Sequence, residues 1–127
     1  PARDARALPH RPVEIERIVV IHDDLDLETG RVTVKRGGGD GGQRGLRSII
    51  GSLNDPGFMR IRMGIGRPPE GGDAAEWVLT DFGAHEREAL ETMIATACRA
   101  VDLIAADGPV RAMNSINPRR PGKAVAD

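Results

Sequence analysis

Tyrosine is absent from this 127-residue chain, and its only aromatic side chains are Phe58, Trp77 and Phe82. Three rings are too few to build the stacking platform of a single-stranded nucleic-acid binder. The lone cysteine, Cys98, excludes a disulfide framework and a cysteine-based zinc site. No stretch of eighteen apolar residues occurs, so no spanning helix is expected. No basic-then-apolar signal segment opens the chain, which leads us to expect a cytoplasmic protein. An excess of one charge is also missing: 18 Lys and Arg face 19 Asp and Glu. Overall charge therefore selects no partner. The length suits one domain, and 39% apolar residues suffice for a core. Because the first residue is Pro1 rather than Met, a preceding segment is expected.

The chain does have glycine, sixteen of them, and a charge that is unevenly spread. Between residues 31 and 69 stand Arg31, Lys35, Arg36, Arg44, Arg47, Arg60, Arg62 and Arg67, opposed only by Asp40 and Asp55. Residues 70–110 are acidic, with only Arg87 and Arg99 as bases. A basic middle beside an acidic segment points to one side that faces a polyanion.

Hydrophobic periodicity divides the chain into elements. Ile18 to Ile21 is a short, continuous run of β-branched residues, which predicts a central strand buried on both faces. It ends in His22-Asp23-Asp24-Leu25-Asp26, so carboxylates stand where α/β proteins place their sites. Arg31 to Lys35 alternates, with Val32 and Val34 on one face, and predicts a half-buried strand. The loop Gly37-Gly38-Gly39-Asp40-Gly41-Gly42 is too glycine-rich for a regular element. Leu46, Ile49, Ile50 and Leu53 recur at helical spacing, predicting a helix over 43–53. From Phe58 to Ile65 a third strand alternates, with Arg60 and Arg62 sharing one face. A long helix is expected from about Ala84 to Asp107, stopped by Gly108-Pro109, with Cys98 in the core. A shorter helix follows over 110–115. Residues 1–16 are expected to be irregular or partly helical, and 118–127 a disordered tail behind a domain of 1–117. The order strand, strand, helix, strand, helix implies an α/β fold, a mixed twisted sheet flanked by helices.

Three constellations carry chemistry. The glycine loop leading into a helix N-terminus has the form of an anion cradle, although GxGxxG spacing in a glycine run is a weak match. The absence of a following GK[ST] excludes a P-loop NTPase. The cluster from His22 to Asp26 fits a strand-end cap, a divalent-cation site, or a carboxylate that orients a histidine base, and spacing alone does not choose among them. Alternation places His22, Asp24 and Asp26 opposite Asp23. Lys35, Arg60 and Arg62 fit either a phosphate grip or a solvated strand face. His10 and His85 have no suggestive neighbours and are expected at the surface.

The segments Ile18–Leu27, Gly30-Arg31, the 37–42 loop, Gly45–Ile49 and Arg60–Pro68 occur in an order and spacing that resemble the bacterial-type peptidyl-tRNA hydrolases. The likeness runs from about Ile15 to Asn117 and corresponds to the C-terminal two-thirds of the family's chain, so the N-terminal part of that fold is not represented. The resemblance implies a monomeric enzyme, without metal or cofactor and without a membrane, that hydrolyses the ester between peptide and tRNA. It implies that Asp23 orients a histidine base that belongs to the family's N-terminal third, and that Lys35 and Arg62 clamp a tRNA phosphate. Gly41, Gly42, Gln43 and Arg44 correspond to the loop that holds the substrate. In the family this loop usually reads Gly-Gly-His-Asn-Gly, whereas here it reads Gly41-Gly42-Gln43-Arg44-Gly45. Arginine has donors but no acceptor and cannot replace an amide. Arg44 is therefore expected to pair with Asp23 across the cleft. Two alternatives stand against an active hydrolase: a relative that binds tRNA but has lost catalysis, and a nucleotide-binding module built on the glycine loop.

Overall fold

The computed structural model describes residues 13–67 and 87–118. His10, Trp77, Phe82, His85, the start of the long helix at Ala84 and the tail from residue 119 lie outside the described residues. A 3-10 turn at Ile15–Arg17 leads into β1 (Val19–Asp24), followed by β2 (Val32–Arg36), α1 (Arg44–Leu53), β3 (Met59–Gly64), α2 (Arg87–Asp107) and α3 (Pro109–Ile116).

The sheet is mixed, as the element order implies. Its order is β1-β3-β2. β1 runs parallel to β3 with His22 opposite Arg62, and β2 runs antiparallel with Lys35 opposite Arg60 and Thr33 opposite Arg62. The run from Ile18 to Ile21 was expected at the centre, and that expectation is corrected. β1 is an edge strand among the described residues, Ile21 is 49% exposed, and β3 holds the centre. An apolar run shows that a strand exists, but pairing between distant segments decides its place in the sheet.

Alternation along the strands separates two faces. Val32, Val34, Met59 and Ile61 point one way and pack against Met93, Ala97 and Ala100 of α2 and Ile116 of α3. Thr33, Lys35, Arg60 and Arg62 point the other way. The buried stripe of α2 therefore runs through Met93, Ala97 and Ala100, while Ile94, Cys98 and Val101 are exposed. This corrects the placement of Cys98 in the core: the apolar repeat of α2 is wider than the strip its neighbours cover. Gly108 has φ +90°, and its N–H donates to the Ile104 carbonyl, ending α2 so that Pro109 can open α3.

Asn117, just after α3, closes the outer edge of β2. Its amide accepts from the Val34 N–H at 2.7 Å and donates to the Val34 carbonyl at 2.9 Å. Arg31 Nη2 donates to the Asn117 carbonyl at 2.8 Å. One side chain thus supplies the two hydrogen bonds that a neighbouring strand would have made. Asn117→Ala is expected to leave both Val34 groups unpaired and to cost about 1–3 kcal/mol, read as a lower urea midpoint at unchanged slope.

Candidate functional site

A cleft of about 440 Å³ opens on the polar face of the sheet. β1 and the turn after it contribute His22, Asp23, Asp24, Leu25 and Asp26, and β2 contributes Lys35. The loop contributes Gly39 to Gly42, α1 contributes Leu46 with Gln43 just before it, and β3 and its exit contribute Arg60, Arg62 and Arg67. Asp23 was expected to point away from His22 and Asp24. All three line the same cleft, because β1 ends there and the chain turns at Leu25-Asp26, where the Asp26 N–H donates to Asp24 Oδ1 at 2.8 Å.

The two arginines that share a face of β3 do different work. Arg60 is only 2% exposed. Its Nη1 donates to the Gly39 carbonyl, and its Nη2 donates to the Gly38 carbonyl at 2.6 Å and the Pro56 carbonyl at 2.9 Å. The guanidinium also lies 4.5 Å from the centre of the Phe58 ring. Burial draws Arg60 below its ordinary pKa, against the opposing charge of Asp40. With three carbonyls on its two Nη groups, Arg60 ties down the loop. Arg62 instead donates through Nε to Asp24 Oδ2 at 2.8 Å. Lys35 is exposed and makes no ion pair among the described residues. Its Nζ lies 3.1 Å from where a Cβ at Gly38 would sit, a contact the end of a lysine can relieve, so it is the φ of +113° that calls for glycine at Gly38.

The anion cradle expected at the glycine loop holds one of its own residues. The Asp40 carboxylate accepts from the Gly42 N–H at 2.7 Å and from Arg47 Nε at 3.2 Å. These bonds lower its pKa, with the Gly42 N–H as the main cause. Gln43 caps α1: its Oε1 accepts from the Leu46 N–H at 2.7 Å, and its Nε2 donates to Asp23 Oδ1 at 3.0 Å. Arg44 begins the helix proper, is exposed and does not line the cleft. The expected Arg44–Asp23 pair is therefore corrected: the partner of Asp23 is Gln43. The cap residue turns inward to the cleft, and the next position lies around the helix, away from it.

The carboxylates are held by separate donors. Gln43 takes Asp23, Arg62 takes Asp24 and Arg67 takes Asp26. Among the described residues no three potential metal ligands converge. His22 engages the Asp23 carbonyl through Nδ1 at 2.9 Å, and its Nε2 is buried without a partner among the described residues. Sequence reading missed the structural work of Arg60, the capping by Gln43 and the grip of Asp24 on Arg62. The contacts of Arg60 and Asp24 join segments far apart in the chain, whereas the cap is local, three residues from Gln43 to Leu46, and a polar side chain just before the apolar repeat was its signal.

The fold and cleft define an α/β protein whose mixed sheet presents carboxylates and cations together on one face. A sequence profile for peptidyl-tRNA hydrolase matches residues 5–124. The peptidyl-tRNA hydrolase of Frankia casuarinae is 46% identical over 102 residues, covering 80% of this chain and 52% of the relative. That of Rubrobacter xylanophilus is 50% identical over 104 residues, covering 82% and 58%. The crystal structure of peptidyl-tRNA hydrolase from Acinetobacter baumannii superposes with a TM-score of 0.72 at 36% identity, covering 84% of this chain and 54% of that one. The chain belongs to the peptidyl-tRNA hydrolase family and spans little more than half the length of these relatives.

The Asp24–Arg62 pair makes stability depend on pH. Burial pushes the Asp24 carboxyl up, but the hydrogen bonds from Arg62 and the Asp26 N–H, with the Arg62 charge, outweigh it and leave the group below its ordinary value. A carboxyl with a lowered folded pKa adds stability above its unfolded pKa and loses it as pH falls through the folded one. Asp24→Asn should thus be less stable than the parent at neutral pH. The gap in urea midpoints should close as pH falls below about 4.

Proposed function

We propose that this protein is a peptidyl-tRNA hydrolase, which adds water across the ester between a peptide and its tRNA. The observation that carries this reading is the meeting of Asp23, Lys35 and Arg62 in one cleft of a chain that belongs to this family. Asp23 is the group that orients an imidazole. It accepts the N–H of the ring, fixes its tautomer and stabilises the imidazolium formed when the ring takes a proton from the attacking water. Lys35 and Arg62 bind a phosphate of the tRNA. The ammonium of Lys35 has no ion pair among the described residues, and Asp24 holds Arg62 by Nε, which leaves its Nη groups to donate. Gly41 and Gly42 border the path of the substrate, and Arg44, outside the cleft, adds an exposed charge on α1 that tRNA lying across this side of the protein would meet. The reaction needs a water, a base and an orienting acid, and no metal or cofactor. We assign the protein to the cytoplasm as a monomer.

A second reading, a tRNA-binding relative without catalysis, is favoured by one observation. Gln43 and Arg44 replace the family's usual His-Asn, and Gln43 already engages Asp23.

Among the described residues no imidazole is hydrogen-bonded to the Asp23 carboxylate, since His22 engages only the Asp23 backbone carbonyl. The chain of this sequence alone should therefore hydrolyse a labelled peptidyl-tRNA mimic about 10²–10⁴-fold more slowly than a complete family enzyme. Added imidazole should raise the rate, and Asp23→Ala should abolish the gain. Turnover within about tenfold of a complete enzyme, without imidazole, would mean that another residue serves as base.

Binding of tRNA should weaken with salt, because phosphate contacts release counterions. Lys35→Ala and Arg62→Ala should each weaken binding of all tRNA bodies alike and reduce the salt slope by about 1. Parent-like binding by both variants in a filter-retention titration would remove the phosphate assignment.

A further inference from the structure

Gln43 joins two things that need not be connected: the first turn of α1 and the carboxylate of Asp23. Its two hydrogen bonds fix which way the amide lies. The Leu46 backbone N–H can only donate, so the atom 2.7 Å from it is the amide oxygen. The NH₂ end is then the one 3.0 Å from Asp23 Oδ1, where an ionised carboxylate can only accept. The amide cannot be reversed without losing both bonds. Its outer end is anchored as well, because Leu46 is buried and holds the first turn of α1 in place. At its near end the loop is held by Arg60 through the Gly38 and Gly39 carbonyls. Gln43 thus reaches Asp23 from a segment fixed on both sides.

A carboxylate at the end of an edge strand has two torsions to restrain, and its two oxygens are equivalent until something distinguishes them. Gln43 distinguishes them: it takes Oδ1, while Oδ2 has no hydrogen-bond partner among the described residues. We infer that Gln43 is a positioning residue for hydrolysis, holding Asp23 in one rotamer with Oδ2 presented to the imidazole. This inference rests on the functional reading above and removes Gln43 from the groups that touch substrate. It also removes the apparent conflict in the loop. A glutamine that takes one carboxylate oxygen does not block the acid, since orienting a ring N–H requires only the other.

The rival is that Gln43 is a helix cap and nothing more. Gln43→Asn separates the two roles, because asparagine is a favoured cap but is one methylene shorter and does not reach Asp23. On the chain as it stands, the thermal midpoint of Gln43→Asn should be unchanged or higher. In the same variant the β-proton couplings of Asp23, measured by NMR, should move from single-rotamer values to averaged ones. The side-chain amide signal of Gln43 in the parent should shift on Asp23→Asn. In the hydrolysis assay with added imidazole, Gln43→Asn should lower the stimulated rate about tenfold, with tRNA affinity unchanged. Asp23 couplings that are the same in the parent and Gln43→Asn overturn the proposal, as does a stimulated rate untouched by Gln43→Asn but abolished by Asp23→Ala. If imidazole does not stimulate the parent at all, the functional reading is what fails, and the couplings still decide whether Gln43 holds Asp23.

Discussion

The buried guanidinium of Arg60 is the interaction on which the rest of the cleft depends. A cation on the central strand at 2% exposure would be costly if left alone. Here three backbone carbonyls surround it, two from the glycine loop and one from the turn before β3. Hydrogen bonds to an ionised donor are stronger than neutral ones, so the group that is expensive to bury is also the one that binds the loop most firmly. Glycines at positive φ let the loop bend its carbonyls toward Arg60. The order of the loop then carries over to Asp40, to the cap at Gln43 and to Asp23.

Charge in and beside the cleft is balanced locally. Arg62 is matched by Asp24, Arg67 by Asp26 and Arg47 by Asp40. Among the described residues Lys35 is left unmatched, beside the carbonyls around Arg60. A cleft of this kind draws little on long-range attraction, which salt screens. On the proposed reading, the cleft would hold a phosphate by short contacts with an ammonium that has no ion pair among the described residues and an arginine whose orientation is already set. Asp24 offsets the charge of Arg62 and in return fixes the guanidinium plane, so that fewer torsions need to be ordered when a ligand arrives.

The two edges of the sheet are treated differently. Asn117 satisfies the Val34 backbone and closes β2, using a residue that follows the last helix. β1 has no second strand beside it among the described residues and leaves Ile21 half exposed. The carboxylates therefore stand at the end of the less enclosed strand, so holding Asp23 falls to a side chain from the loop rather than to the sheet.

Much was determined by local sequence. Alternation in 31–35 and 58–65 set the strands and the face on which each side chain lies, since successive residues of a strand must point in opposite directions. The 3.6-residue repeats set α1 and α2, and Gly108-Pro109 set the break between α2 and α3, because only glycine readily takes φ +90° and proline needs no N–H at a helix start. The resemblance named the family and Asp23, Lys35 and Arg62. The tertiary structure alone decided which strand is central, which stripe of α2 is covered, and which partner each charged group takes. The placement of Cys98 and the pairing of Arg44 differed from expectation for the same reason. Periodicity describes one element at a time, while burial and hydrogen bonding are properties of two segments brought together. Arg60 and Arg62 are two residues apart on one face and indistinguishable in sequence, yet one meets three carbonyls and the other a carboxylate, because different distant segments lie over them.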